Sequence, residues 1–339
     1  MTFKMLSNID RLSDMVRGMR IALPAALVLA ACGSSSNGDD GDDAPGDPDA
    51  PPNDPPDAPV SGTCEGRPAL PADDTWQLDF GGTTRSVKVH VPPTYDPAIA
   101  TPVVLNFHGY TMNAQWQADM TRMDAKSDAA GFIAIHVDGT GSPRGFNAGD
   151  CCGSAVTDDV DDVGLVVAIL DRLASDACLD TARVYSTGFS NGGFLSHRLA
   201  CELADRIVAI APVSGVMGMD TCTPSRPVPV MQIHGTDDLI VPYDGGGLSG
   251  FRSVDDTVAD WAARNGCTGA PEQTYQQGDA TCVTHTGCTG GADVIRCTID
   301  GGGHQWPGGE GFPGGGHLST DLIATDAMWD FFASHSFQP

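Results

Sequence analysis

The chain predicts an α/β fold, a mostly parallel central sheet flanked by helices on both faces. Continuous apolar runs such as Pro102–Phe107 and Phe132–Val137 read as buried parallel strands, because a strand covered on both faces has no polar side to show. Segments with helical spacing alternate with these runs along the chain, the pattern of βαβ units. One strand, Arg183–Thr187, runs straight into Gly188-Phe189-Ser190-Asn191-Gly192, where flanking glycines permit a sharp strand-to-helix turn.

The elements follow in order. Arg85–Val91 alternates polar and apolar residues and reads as a half-exposed antiparallel strand. After the run ending at Phe107, one helix is expected over Ala114–Ala130, stopping at Gly131. The strand Phe132–Val137 follows, and Thr157-Asp158-Asp159 is expected to cap a helix reaching Ala174. Arg183–Thr187, Ile207–Val213 and Val228–Ile233 are the next strands, with a helix after Ser190. A helix over Val254–Asn265, a strand over Val294–Thr298 and a last helix over Thr320–Ser334 complete the series. No internal repeat is visible.

Outside this pattern, residues 1–32 read as a targeting segment. Arg17 and Arg20 precede an apolar run, Ile21–Ala31, too short to stay in a bilayer as a spanning helix. It ends in Leu29-Ala30-Ala31-Cys32, which resembles a bacterial lipoprotein signal with Cys32 as the lipidated residue. Residues 33–63 carry eight Asp, seven Pro and five Gly, with no Lys, Arg or aromatic residue. Such a stretch cannot bury enough apolar surface to fold and is expected to be a disordered acidic linker. That leaves residues 64–339 for one catalytic-sized domain.

The net charge of −26 excludes nucleic-acid binding by phosphate neutralisation. Ten cysteines follow Cys32, an even count that in an exported domain suggests up to five disulfides. Adjacent Cys151-Cys152 and the lack of any C-x-x-C pair argue against zinc, and Cys282 with Cys288 could close a small loop.

Four segments sit where strands end, the rim at which α/β sheets collect function. They are the turn bearing Ser190, then His234-Gly-Thr-Asp-Asp238, then Gly301-Gly-Gly-His304-Gln-Trp306, and His108-Gly109-Tyr110. A G-x-S-x-G turn holds a serine hydroxyl clear of the backbone, where an imidazole can take its proton and a carboxylate can orient that imidazole. Chain order Ser190, Asp238, His304 is the order found in α/β-hydrolases. Asp237 and Asp238 point in different directions, so spacing alone leaves the carboxylate open. His234 and His108 each precede a glycine at a strand end, which suits loop shaping better than proton transfer. The backbone N–H groups of Asn191 and of the Gly109-Tyr110 loop are the expected oxyanion donors. Trp306 and Tyr110 are expected to wall an acyl pocket, whereas Phe189 and Trp116 read as core.

The set FHG, NAGDCCG, DDVG, RVYSTGFSNGG, RLACE, IHGTDD-x-x-VPY and GGGHQWPGG resembles the secreted α/β-hydrolase esterases comprising polyhydroxybutyrate depolymerases, feruloyl esterases and LpqC-like lipoproteins. The resemblance covers residues 75–336. It implies Ser190 as nucleophile, His304 as base and, as fifth residue of the H-G-T-x-D pattern, Asp238 as acid. Tyr110-Thr111 departs from a part of the pattern that varies.

The reaction expected is acyl transfer from an ester to water, with no metal or organic cofactor. Feruloyl- or acetyl-type esters of plant polysaccharide are favoured over polyester oligomers, because no separate polymer-binding domain follows the last helix. A serine peptidase and a non-catalytic surface binding protein are the readings from other classes. The protein is expected to be an exported monomer, lipid-anchored at Cys32 to the cell envelope, with the outer membrane favoured, or extracellular.

Overall fold

Ten strands form a single sheet in the order β1-β2-β4-β3-β5-β6-β7-β10-β9-β8. The computed structural model describes residues 64, 66–247 and 249–337. The signal segment with Cys32 and the acidic linker 33–63 lie outside the described residues. The strands are β1 (Asp73–Phe80), β2 (Thr83–His90), β3 (Thr101–Phe107), β4 (Ile133–Val137), β5 (Leu179–Phe189), β6 (Ala209–Val213), β7 (Val230–Gly235), β8 (Glu272–Gln277), β9 (Ala280–His285) and β10 (Val294–Ile299). The six central strands pair in parallel, while β1, β2, β8 and β9 extend the two edges as antiparallel strands.

The helices are α1 (Ala114–Thr121), α2 (Met123–Ala130), α3 (Ser154–Thr157), α4 (Asp162–Asp176), α5 (Asn191–Glu202), α6 (Val254–Arg264) and α7 (Ala324–Ala333). Strand alternation assigns each side chain to one of two cores. Val103, Leu105 and Phe107 of β3 face α4, α5 and α6 through Ile169, Leu195, Leu199 and Trp261. Val104 points the other way, into the core shared with Met120, Met123, Phe331 and Phe332 of α1, α2 and α7. Helices therefore cover both faces, and the central strands are apolar throughout for that reason. Among the described residues, no helix is long and apolar enough to cross a membrane.

Some boundaries differ from the sequence reading. The single helix expected over Ala114–Ala130 is two, broken at Arg122, which takes a left-handed φ of 53°. Thr157-Asp158-Asp159 does not cap α4: Thr157 closes the short α3, and the Asp161 side chain accepts from the Gly164 N–H to cap α4. The sequence pattern predicts neither β9 nor the polar edge strands β1 and β8. Few side chains of β1 and β8 are buried, so these two lack the apolar alternation that marks a strand.

All ten described cysteines are paired: Cys64–Cys178, Cys151–Cys152, Cys201–Cys222, Cys267–Cys288 and Cys282–Cys297. The small loop between Cys282 and Cys288 is not closed. Cys282 sits directly opposite Cys297 in the β9–β10 ladder, and that register decides the pairing. Five disulfides in one domain mark it as exported to an oxidising compartment.

Candidate active site

Parallel pairing brings the ends of β3, β5, β7 and β10 to one rim, and each carries a predicted residue just beyond its last position. Ser190 follows β5 at φ 53°, ψ −118°, a conformation costing a non-glycine residue about 1–3 kcal/mol. The turn is held by close approach rather than by flexibility. A Cβ at Gly188 would lie 2.5 Å from the Gly192 carbonyl, and one at Gly192 would lie 2.1 Å from the Phe107 oxygen. The serine N–H donates to Val213 at 2.8 Å, while its hydroxyl does not cap α5. The side chain is 8% exposed.

Asp238 and His304 meet because their loops are laced together. Beyond the β7–β10 ladder, the Thr236 N–H donates to Ile299, the Gly301 N–H to Thr236 Oγ1 and the Asp237 N–H to Gly302. Asp237 faces solvent and Asp238 turns inward. His304 Nδ1 donates to Asp238 Oδ2 at 2.7 Å, with both side chains buried. Asp238 Oδ1 accepts from the N–H groups of Ile240 and Val241. Burial disfavours the Asp238 carboxylate, but hydrogen bonds from His234 and His304 outweigh it and hold the carboxyl well below its usual range. An ionised carboxylate only accepts, so His304 carries its proton on Nδ1 and presents a bare Nε2. The ring packs 4.6 Å from Phe189, the neighbour of Ser190.

As the first residue of α5, Asn191 has an N–H with no acceptor inside the helix. Its side chain does separate work. Oδ1 accepts from the Phe146 N–H at 2.7 Å, and Nδ2 donates to the carbonyls of Phe146 and Cys151. The disulfide loop 146–152 is thereby fastened beside the serine, a link invisible in the sequence. The Tyr110 ring lies over the backbones of Gly145 and Gly153, where a Cβ would come within 2.8 Å and 2.6 Å of it.

His108 and His234, the other two histidines at this rim, are both buried. His108 Nδ1 donates to Gly109 O, and its Nε2 accepts from the Gly139 N–H. Burial pushes its pKa down to about 4. His234 stands behind Asp238, Nε2 to Oδ2 at 3.3 Å.

Two aromatic assignments change. Trp306, expected to wall the acyl pocket, is fully buried and donates its indole N–H to Thr325 Oγ1, because its chain turns back toward α7. Trp116, read as core, is 37% exposed and stacks on Phe312 at 6.0 Å. Phe312 in turn packs against both Phe189 and His304. Gln305 secures it: its amide accepts from the Phe312 N–H and donates to the carbonyls of Phe312 and Gly316. The motif GGGHQWPGG drew attention to the tryptophan, whereas the glutamine folds the loop.

Among the described residues, one group has donor atoms close enough to suit a metal: Asp73, His90 and Asp124, within 4.8 Å of one another. Lys88 Nζ already lies 3.4 Å from Asp73 and 3.1 Å from Asp124, so an ammonium meets that charge. His90 pairs with Ala134 near the start of β4, which puts the cluster at the rim opposite Ser190.

Known proteins resemble this chain in sequence and in fold. A family model described as "Esterase PHB depolymerase" matches residues 86–244, a span that includes Ser190 and Asp238. The chain is 35% identical over 237 residues to feruloyl esterase B of Piromyces equi, covering 65% of this chain and 42% of that protein. It is 27% identical to the bifunctional acetylxylan esterase/xylanase XynS20E of Neocallimastix patriciarum, covering 66% and 31%. Feruloyl esterase C of Emericella nidulans is 28% identical, with 73% and 83% covered. The chain thus spans less than half the length of the first two relatives. The solved acetyl xylan esterase from Aspergillus awamori superposes with a TM-score of 0.56 at 14% identity, over 77% of this chain and 99% of that one. Such a likeness identifies the shared α/β-hydrolase fold. In sequence and in fold the chain is thus similar to esterases of the polyhydroxybutyrate depolymerase and feruloyl type.

Proposed function

We propose that the protein is a serine carboxylic ester hydrolase acting on feruloyl- or acetyl-type esters of plant polysaccharide, with the aromatic acyl group favoured. The observation that carries the reading is the buried 2.7 Å bond from His304 to Asp238, with the His304 ring against Phe189 beside the strained serine. Ser190 Oγ attacks the ester carbonyl as its proton passes to His304 Nε2. Asp238 keeps the ring in its tautomer and offsets the imidazolium charge. The N–H of Asn191 and that of Tyr110 receive the oxyanion. The alcohol leaves with the proton from His304, and water, deprotonated by the same nitrogen, then releases the acid.

An aromatic acyl group is supported by the half-exposed Trp116–Phe312 pair that reaches His304, and by the exposed apolar Leu239 and Ile240 just beyond Asp238. Relatives named feruloyl and acetylxylan esterases support the same substrate class. The family model's name favours hydroxybutyrate oligomers as a second reading. Anchoring at Cys32 belongs to this proposal too, since an anchored enzyme would act on soluble feruloylated fragments at the cell surface.

The purified protein and its Ser190→Ala variant are to be assayed on methyl ferulate, acetylated xylan and hydroxybutyrate oligomers. Turnover of the first two, lost in the variant, is expected. Preferential cleavage of the oligomer would favour the second reading, and unchanged ester turnover by Ser190→Ala would refute both.

A further inference from the structure

Asp238 is approached from behind by a chain of buried polar side chains that the triad itself leaves unexplained. Trp261 Nε1–H donates to His197 Nδ1 at 3.0 Å. His197 Nε2 meets Gln232 Oε1 at 3.0 Å. Gln232 Nε2 donates to the Gly215 carbonyl at 2.8 Å and lies 3.3 Å from His234 Nδ1. His234 Nε2 meets the Val241 carbonyl at 2.8 Å and Asp238 Oδ2 at 3.3 Å. All four side chains from Trp261 to His234 are at most 1% exposed.

The two ends of the chain fix the proton on every ring. An indole N–H only donates, so His197 Nδ1 must accept and its Nε2 must carry hydrogen. A backbone carbonyl only accepts, so the Gln232 NH₂ must face Gly215 and its oxygen must face His197. The same NH₂ is then what His234 Nδ1 sees, which makes that nitrogen an acceptor. Its Nε2–H is left to point at Val241 O and Asp238. Each bond donates in one direction, from α6 toward the acid. Protonating either histidine would set N–H against N–H.

We infer that Gln232 and His234 are positioning residues of the catalytic carboxylate: a one-way donor relay from Trp261 keeps His234 neutral and aims its Nε2–H at Asp238. Asp238 thus receives a dipole from His234 and keeps its whole negative charge for the imidazolium that forms on His304. Gln232 also braces acid against nucleophile. Its other partner, Gly215, packs so tightly on the elbow that a Cβ there would lie 2.6 Å from the Ser190 carbonyl oxygen. The titratable and charged groups facing the relay are Tyr243, edge-on to His234 at 6.0 Å, Arg264 at 5.8 Å over the Trp261 ring, and His304 through Asp238.

The inference rests on Asp238 being the acid, and two measurements keep the two apart. Imidazole ¹⁵N–¹H correlation spectra of the whole protein at pH 7 should show His197 and His234 both as neutral Nε2–H tautomers. A Nδ1–H tautomer or an imidazolium at His234 would overturn the relay, whatever the substrate. His234→Phe removes one donor from Asp238, which makes the carboxylate a stronger acceptor and His304 more basic. The acid limb of kcat/KM should then move up by about half a pH unit or more, with kcat down about tenfold and KM within about twofold, alike on acetyl and feruloyl esters. Simple loss of folded enzyme would lower kcat without moving that limb. Gln232→Met, which drops the same donor chain at similar volume, should shift it the same way and serves if His234→Phe does not fold. A folded variant with an unmoved limb, beside an Asp238→Asn enzyme that is crippled, would sink the relay. Full turnover by Asp238→Asn would remove the triad and the relay with it.

Discussion

The ring of Phe189 lies 4.6 Å from that of His304 at a tilt of 46°, so the residue before the strained serine is also the wall against which the histidine leans. Ser190 and His304, the proposed nucleophile and base, are registered to each other through one apolar contact as well as through their loops. Phe189→Leu keeps the volume and loses the flat face. Its kcat should fall by about 10- to 100-fold, as expected when a catalytic ring is displaced by about 1 Å, with KM little changed. Steady-state kinetics on a short p-nitrophenyl ester would check this, and an unchanged kcat would contradict the contact's role.

Selectivity should reside in Trp116 and Phe312. Replacing either by alanine removes a stacking partner worth about 0.5–1.5 kcal/mol beyond simple area burial. The kcat/KM ratio of methyl ferulate to an acetyl ester should therefore fall by about two- to tenfold. Equal losses on both esters would show that the pair supports the His304 loop instead of reading the acyl group.

Acid should destabilise the fold through two buried histidines. Burial pushes both His108 and His197 down to about 4, so each stays neutral in the folded protein while the unfolded chain takes up a proton near 6.5. Depressed pKa values contribute stability that is complete above 6.5 and is lost as pH falls toward 4. On the order of 2 kcal/mol per histidine should go between pH 7 and pH 5. Urea midpoints measured at both pH values test this, and His108→Gln should flatten the slope. An identical slope in that variant would acquit His108.

Much of this was legible in the sequence because it rests on local chemistry. The apolar runs of β3 and β4, the glycines around Ser190 and the short segments that carry Asp238 and His304 are each patterns within a few residues. What escaped depends on distant partners. Nothing near Trp306 announces that Thr325 will take its indole N–H, and nothing near Trp116 announces Phe312. Cys282 finds Cys297 through a strand register fixed by β9, an element the sequence pattern did not show. The relay behind Asp238 draws its members from β7, α5 and α6, so no linear motif could contain it.

Removing the Cys282–Cys297 bridge should cost stability and spare activity. It joins two neighbouring strands at the sheet edge and closes a sequence separation of 15 residues, for which the chain-entropy estimate is about 3 kcal/mol. Cys282→Ser with Cys297→Ser should lower the urea midpoint accordingly while leaving kcat within about twofold. A large loss of turnover in the folded double variant would mean that β10 transmits strain to the His304 loop.

The Arg85–Asp162 pair poses the opposite case. The two charges lie 2.7 Å apart with almost no exposure, and Asp162 also accepts from the Asn147 N–H. Burial nevertheless pushes the Asp162 carboxyl above its ordinary value despite that arginine, and Arg85 Nε has no acceptor. Desolvation is therefore incompletely repaid. Removing one partner would strand the other charge, so Asp162→Leu and Arg85→Met should each cost about 3–5 kcal/mol. Replacing both should cost far less and could gain stability, because an apolar pair needs no solvation. Chemical denaturation of the three variants gives the coupling energy directly. A double variant as damaged as the sum of the singles would show that the ion pair, through Asn147, holds the loop against Asn191 in a way no apolar pair can replace.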